Sequence, residues 1–432
     1  MKRTVLNHNR CETTDPKLRQ QLGDLGTTRR HVRSLKKRLE ATTMLATCPN
    51  NAEDKHDASN GKRLAAGVVT GAAFGFLLDK GKMNVPLAIV DQMGMTNFSM
   101  MRFFLSASTS SILCMSALES LGIKARKAPG GVDLGTGLKG PLSGYGANLL
   151  GGALLGSGMA ITGSCPGTVW TQIGAGMPYT GSIVAGGVTG TLLYGYMHSY
   201  LKRRNADFAK VSGGKTTLDK AIGLPYPVVG VAMAGGFMGM VKLFDTYFPW
   251  REGLAKLLAL GIEPRGDFLP DVAAIAWDPM VCGSLLGLLQ IPASLTNGKG
   301  LGSSSGWVTM AGAVSHAIDP QCDKNAPYFK DARSIWQIGG AVGMVLGAWL
   351  SNYLSGSGPE IYSAIGAQGA GSHLNAFAGG IVLLFGARLA GGCPSGHGLT
   401  GMGTLAFSSF ITVAGMFIGG MGVRLLPKVL GF

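Results

Sequence analysis

GPLSGYGANLLGGALLGSGMAITGSCPGTVWTQIGAGMPYTGSIVAGGVTGTLLYGYMHSYL, residues 140–201, runs for 62 positions without one Asp, Glu, Lys or Arg. A helix crosses the hydrocarbon core of a bilayer in about 20 residues, so this stretch holds two crossings with a segment between them. That segment, CPGTVWTQIGAGMP (165–178), is too short to cross and too uncharged for a solvated loop. It reads as a re-entrant piece enclosed by protein, because non-helical backbone at membrane depth must have its polar groups satisfied there. The rest of the chain has the same character. Only 14% of its 432 residues are charged, against roughly 25% in soluble domains, and the mean hydropathy is +0.26. Its 69 glycines oppose membrane burial far less than charges would. A secreted disulfide scaffold, a disordered chain and a nucleic-acid-binding domain are excluded as the main reading. The class is an all-α polytopic membrane protein.

Outward from that stretch, charge-poor windows place spans near residues 64–78, 103–121, 141–163 and 180–200 in a first half. A second half offers 226–244, 272–295, 334–354, 373–390 and 404–423. Residues 306–316 form only a half-helix, since 11 residues rise about 17 Å. The expectation is about nine transmembrane helices, divided as a first repeat (64–200), a basic linker (201–224) and a second repeat (225–432). Residues 1–63 form a polar extension with 14 Lys and Arg against 7 Asp and Glu. Its densest run, RRHVRSLKKR (29–38), reads as a cytoplasmic tail under the positive-inside rule rather than a nucleic-acid site. No early apolar core with a cleavage site follows Met1, so no secretory signal is expected. Residues 123–140 carry four basic residues against one acidic, and 201–224 six against two, whereas 245–270 carries three against four. The first two face the cytoplasm and the third the opposite side, with the N-terminus cytoplasmic and the plasma (inner) membrane expected.

An internal echo links GMAITGSCPGT (158–168) in the first half to GARLAGGCPSG (386–396) in the second. Another links GAAFGFLLDK (71–80) to GSLLGLLQIP (283–292) through a Gly-x-x-x-Gly spacing. The chain is a duplicated bundle. The interval from Gly71 to Cys165 is shorter than that from Gly283 to Cys393, so the second half holds an extra element.

Proline is favoured at the first position of a helix, where its missing N–H is not needed, so Cys165-Pro and Cys393-Pro read as cap-and-start of two short helices. Their N-terminal amides and dipoles favour anions. Gly163, Ser164, Gly167, Gly391, Gly392 and Gly396 let a ligand approach the backbone. Facing helix starts from two repeats suit an anionic substrate at the midplane. The thiols narrow it to an anion exposing sulfur, because Cys is soft and polarizable and donates weakly through S–H. Cys114 reads as core and Cys282, beside the Gly that opens the second half, as a further candidate; Cys11, Cys48 and Cys322 lie in polar segments and look incidental. His397, four residues after Cys393, makes a Cys-x-x-x-His pair that fits a soft metal, or a hydrogen-bonded or pore-lining histidine. Arg388 in an apolar span serves anion attraction or pairs with Asp278. Asp278 and Asp91 are candidates for proton coupling or for capping and pairing.

At these motifs the chain resembles the YeeE/YedE sulfur-transport family, whose bacterial members take up thiosulfate. The resemblance covers residues 64–423 and is carried by GARLAGGCPSGHGLTGMG (386–403), GSCPGTVWTQIGAG (163–176) and CGSLLGLLQIPASLTNGKGLGSSS (282–305). It implies an hourglass bundle of inverted pseudo-symmetric halves whose short helices meet at the waist. It also implies that Cys165 and Cys393 pass thiosulfate along by S–H to sulfur hydrogen bonds. A further family cysteine near the end of the first span is replaced here, in DKGKMNVP (79–86), by Met83 as the nearest equivalent. The expected function is membrane transport of thiosulfate or a related sulfur anion, with no chemical conversion and no cofactor. The rivals are a membrane sulfurtransferase working through a Cys393 persulfide and a soft-metal transporter. The lipid bilayer is the expected surrounding, and a cytosolic sulfur-acceptor protein a candidate partner for the basic face.

Overall fold

A computed structural model describes residues 51–123, 126, 144–204, 217–250, 272–297, 300–319, 321–331, 334–356 and 370–430. The basic extension through residue 50, with Cys11 and Cys48, lies outside these residues. So does most of the loops whose charges set the expected orientation. Contacts divide the chain into Met1–Ala58 and a compact unit, Ser59–Phe432.

Among the described residues the architecture is helical, with a single isolated bridge, Thr217 to Ala406. The first half runs α1 (Asn51–Lys80), α2 (Pro86–Met93), α3 (Ser99–Ser120), α4 (Gly146–Thr162), α5 (Thr168–Gly174) and α6 (Thr180–Arg204). Then come α7 (Leu218–Ile222) and α8 (Tyr226–Tyr247). The second half runs α9 (Pro279–Leu288), α10 (Gln290–Asn297), α11 (Ser304–Ile318), α12 (Cys322–Asn325), α13 (Pro327–Asp331), α14 (Ile335–Ser355) and α15 (His373–Leu389). A π-helical turn (Ser395–Gly401) and α16 (Phe407–Leu430) close it. Among the described residues five stretches are long and apolar enough to cross a membrane: Asn60–Lys80, Ser99–Ser120, Tyr226–Tyr247, Pro279–Thr296 and Phe407–Leu426.

Local chemistry sets the boundaries. Pro279 opens α9 later than hydropathy suggests, and Asp278 caps it by accepting the Met280 N–H at 2.7 Å. The expected span 272–295 is thus trimmed at its start and interrupted at Leu289. Pro86 opens α2, a short helix that hydropathy alone did not signal, because eight residues are fewer than any spanning window. Cys322, expected to be incidental in a polar segment, is fully buried where α12 begins.

Packing joins the halves. α4 lies against α15 and α16, α15 against α6, α3 against α8 and α9, and α5 against α14. Small residues bring backbones together, as is usual where lipid offers no hydrophobic drive for association. A methyl at Gly71 or Gly75 would strike the carbonyls of Gly340 and Met344, and one at Gly283 or Gly287 those of Phe103 and Ala107. The interior holds buried Ser, Thr, Asn, Gln and Lys side chains, while Val69, Trp349, Tyr353, Leu374 and Ile418 are exposed. That inversion fits a lipid-facing exterior. α3 is the most enclosed of the five long apolar stretches and α8 the least.

Arg126 fastens the end of α3 to the start of α8. Its guanidinium bonds both Asp219 oxygens at 3.2 and 3.1 Å, pairs with Glu119 at 2.9 Å and stacks 4.2 Å from the Tyr226 ring. Burial alone pushes the Asp219 carboxyl up, but the Arg126 bonds outweigh it and hold the group below the usual carboxylate range. A folded-state value below the unfolded one, about 3.9, gives stability that is present above that pH and lost as pH falls through the folded value. Thermal unfolding of the native chain should therefore lose midpoint on acidification more steeply than Asp219→Asn does. Parallel profiles for the two would refute this role.

Candidate functional site

α4 ends at Gly163, whose φ of 65° is left-handed, and a side chain there would strike Pro86 at the head of α2. The chain then turns through Ser164, Cys165 and Pro166 into α5. The Cys165 N–H donates to Thr168 Oγ1 at 2.7 Å, and the Thr168 N–H donates to Cys165 Sγ at 3.3 Å. Ser164 Oγ donates to Gln172 Oε1 at 2.6 Å, and Gln172 Nε2 reaches the carbonyls of Asn84 and Gly163. The second turn begins at Gly391, φ 82°, and presents Cys393 Sγ 3.1 Å from Ser395 Oγ and 3.4 Å from Ser303 Oγ. Both cysteines are buried and reduced.

At the first turn the regular helix starts later than the Cys-Pro pair, with Gly167 capping α5, whereas at the second Pro394 is already helical and leads into the π turn. In hydrogen-bond terms the expected cap survives. Cys165 O accepts from Val169 N at 3.1 Å and Cys393 O from His397 N at 2.8 Å, four residues on in each case.

The two turns meet at Ser303, the residue before α11. Its hydroxyl bonds Cys393 and Ser395, and a methyl on Gly167 would stand 2.9 Å from it and 3.8 Å from Cys165 Sγ. The indole of Trp307, one turn into α11, donates to Pro166 O at 2.8 Å and packs on Trp170 with ring centroids 4.6 Å apart. Beside Ser303 a narrow, partly open cleft lies between α1 and α14, lined by Thr70, Phe74, Gln337 and Met344 among others. Ser303 and Ser304 were not singled out from the sequence. The signal was present in three serines, 303–305, directly before an apolar half-helix, since Ser is a favoured cap.

The remaining expected residues fall at three distances from this point. Gly396 lies within the Cys393 turn, where a methyl would stand 3.8 Å from Sγ. His397 is buried with its ring against Gly392; Nδ1 meets Ser409 Oγ at 3.0 Å and Nε2 meets Ala390 O at 3.1 Å. Both ring nitrogens are therefore engaged by protein. Arg388 does not pair with Asp278; its Nη2 donates to Ser304 Oγ and its Nη1 to Tyr328 OH at 3.5 Å. Met83 and Cys282 sit farther along the interior, both buried. The turn carrying Met83 packs on Cys282, since a methyl at Gly81 would stand 3.3 Å from Cys282 Cβ. Buried charges tie that turn down: Asp79 accepts from Asn84 at 2.7 Å and Ser351 at 2.6 Å, and Lys80 Nζ donates to Val272 O and Ala274 O. Among the described residues no group of three or more His, Cys, Asp or Glu is placed to hold a metal ion.

The arrangement offers two soft thiols, a shared hydroxyl and one cation inside a helical bundle. A family model described as Sulphur transport matches residues 80–422. The chain is also similar to the thiosulfate transporter TsuA of Escherichia coli (strain K12), with 24% identity over 376 residues, covering 82% of this chain and 92% of the relative.

Proposed function

This chain belongs to the sulphur transport family, and from that premise we propose that it carries thiosulfate, or a closely related small sulfur anion, across a membrane through a waist lined by Cys165 and Cys393. The observation that carries this reading is the meeting of two cysteine turns, one from each half of the sequence, at one serine hydroxyl inside a helical bundle. Thiols contact exposed sulfur better than they contact a hydrated oxyanion. Transport needs no covalent intermediate, so the cysteines act as non-covalent stations. Gly163, Ser164, Gly167, Gly391, Gly392 and Gly396 bring backbone close to the path. Arg388 supplies charge, His397 holds the second turn in place, and Met83 and Cys282 line the approach.

The proposed architecture is nine spans in two inverted pseudo-symmetric repeats, 64–200 and 225–432 around the 201–224 linker, with α8 as the unmatched ninth span and α12 and α13 as the insertion that lengthens the Gly283-to-Cys393 interval. The exchange of interfaces supports it. With α1 matched to α9–α10, α2 to α11, α3 to α14, α4 to α15, α5 to the π turn and α6 to α16, the α3–α9 contact mirrors α1–α14. Likewise α4–α16 mirrors α15–α6, and α5–α14 mirrors the π turn on α3. Register repeats as well: Gly186 and Gly190 of α6 abut the carbonyls of Phe377 and Ile381, and Gly415 and Gly419 of α16 abut those of Leu149 and Ala153. Each of these residues is separated from its counterpart in the other half by nearly the same interval as Cys165 from Cys393. Loop charge favours a cytoplasmic N-terminus in the plasma (inner) membrane.

The test is radiolabelled thiosulfate uptake by cells that lack other sulfate and thiosulfate import. Uptake on expression of this chain is expected. A chain that reaches the membrane yet takes up no thiosulfate would overturn the reading.

A further inference from the structure

We propose that the two cysteine stations are unequal, and that Cys393 belongs to a two-ended anion site in which the thiol takes the sulfur end of the substrate while Arg388 and the N-terminus of α11 take its oxyanion end. This rests on the transport reading and specifies where its substrate is held and how it is chosen. With the repeats aligned on Cys165 and Cys393, Arg388 corresponds to Ala160, Ser395 to Gly167 and His397 to Val169. At these three positions the second repeat is polar where the first is small or apolar, whereas Ser164 and Thr168 of the first repeat match Gly392 and Gly396.

The geometry around Cys393 joins soft and hard chemistry. Ser303 Oγ lies 3.4 Å from Cys393 Sγ, and the adjacent Ser304, first residue of the 15-residue α11, accepts from Arg388 Nη2. No side-chain cap bond covers the start of α11, so the positive end of its dipole faces this junction. Arg388 is only 8% exposed, and its Nε has no hydrogen-bond partner. A buried guanidinium donor left unmatched is costly unless a ligand completes it, and its planar fork suits an oxyanion. Around Cys165, in contrast, the Thr168 amide and hydroxyl are already spent on the cysteine itself. Thiosulfate has a terminal sulfur and three oxygens on one centre, so it satisfies both halves of the Cys393 site. Sulfate lacks the soft end and hydrosulfide lacks the oxyanion.

The experiment is equilibrium binding of radiolabelled thiosulfate to the full-length chain in lipid nanodiscs, with unlabelled thiosulfate, sulfate and hydrosulfide as competitors. Arg388→Gln should weaken thiosulfate binding by about tenfold to a hundredfold, the loss of a charge-assisted contact. Arg388→Lys should fall between, because it keeps the charge and loses the fork. Cys165→Ser should lose less than Cys393→Ser. Sulfate and hydrosulfide should each compete poorly with the native chain. Arg388→Gln should narrow the preference for thiosulfate over hydrosulfide, which a merely structural arginine would not change. If Arg388→Gln does not fold, Ser304→Ala carries the same test. Native-like affinity and selectivity in the Arg388 or Ser304 variants, or equal losses at the two cysteines, would overturn the two-ended site and leave the transport reading standing. A native chain that binds no thiosulfate would overturn both.

Discussion

Thiosulfate uptake should fall at least about tenfold, a difference of about 1.4 kcal/mol at the limiting step, when either Cys165 or Cys393 is replaced by Ser. Serine keeps a donor of similar shape but is harder and more strongly hydrated, so it loses the contact with the sulfur end of the anion. It also alters each turn differently. At Cys165 a hydroxyl would take the Thr168 N–H more tightly than sulfur does at 3.3 Å, closing the turn on itself. At Cys393 a hydroxyl would join Ser303 and Ser395 in an all-oxygen cluster suited to water. Since the two turns meet at Ser303, the stations act in series, and losing one stops the path. The measurement is initial uptake rate normalised to membrane abundance. Unchanged rates in both variants would exclude a thiol relay, whatever the chain transports.

Gly156→Val should cost about 3 kcal/mol or more, beyond ordinary overpacking, and Gly419→Val about the same. A side chain at Gly156 would strike the Met416 carbonyl, and one at Gly419 the Ala153 carbonyl. Both obstacles are helix backbone, which relieves the clash only by moving a whole helix. α4 leads into the Cys165 turn, and α16 follows the Cys393 turn. Separating them pulls the two stations apart, so uptake should fail together with stability. Gly235→Ala and Gly239→Ala meet nothing within 4 Å on α8; they should be neutral or slightly stabilising, because Ala is the better helix former. Thermal unfolding in detergent, followed by size-exclusion elution, reads all four variants. A Gly156→Val chain with a native midpoint would show that this crossing does not limit the fold.

The membrane class, the duplication and the cysteine turns are local properties of this sequence. An uncharged run longer than two crossings admits few other solutions, because water cannot reach backbone groups in lipid. The Cys-Pro pairs, each with a glycine two residues before the cysteine and repeated in the two halves, likewise announce themselves, since proline and glycine act on their own backbone. What tertiary structure alone decided is who meets whom. Ser303 is one of many serines until α11 is folded back between the two turns. Arg388 had two reasonable partners in sequence, and the packing of α11 and α13 against α15 gave it Ser304 and Tyr328 instead of Asp278. Cys322 lies among polar neighbours, yet packing buries it completely. His397 offered a nitrogen on paper, and the return of α16 engages it with Ser409. Pattern along a chain reports what each residue tolerates nearby, whereas hydrogen bonds and close backbone approaches between distant segments depend on three-dimensional register, which no local window contains.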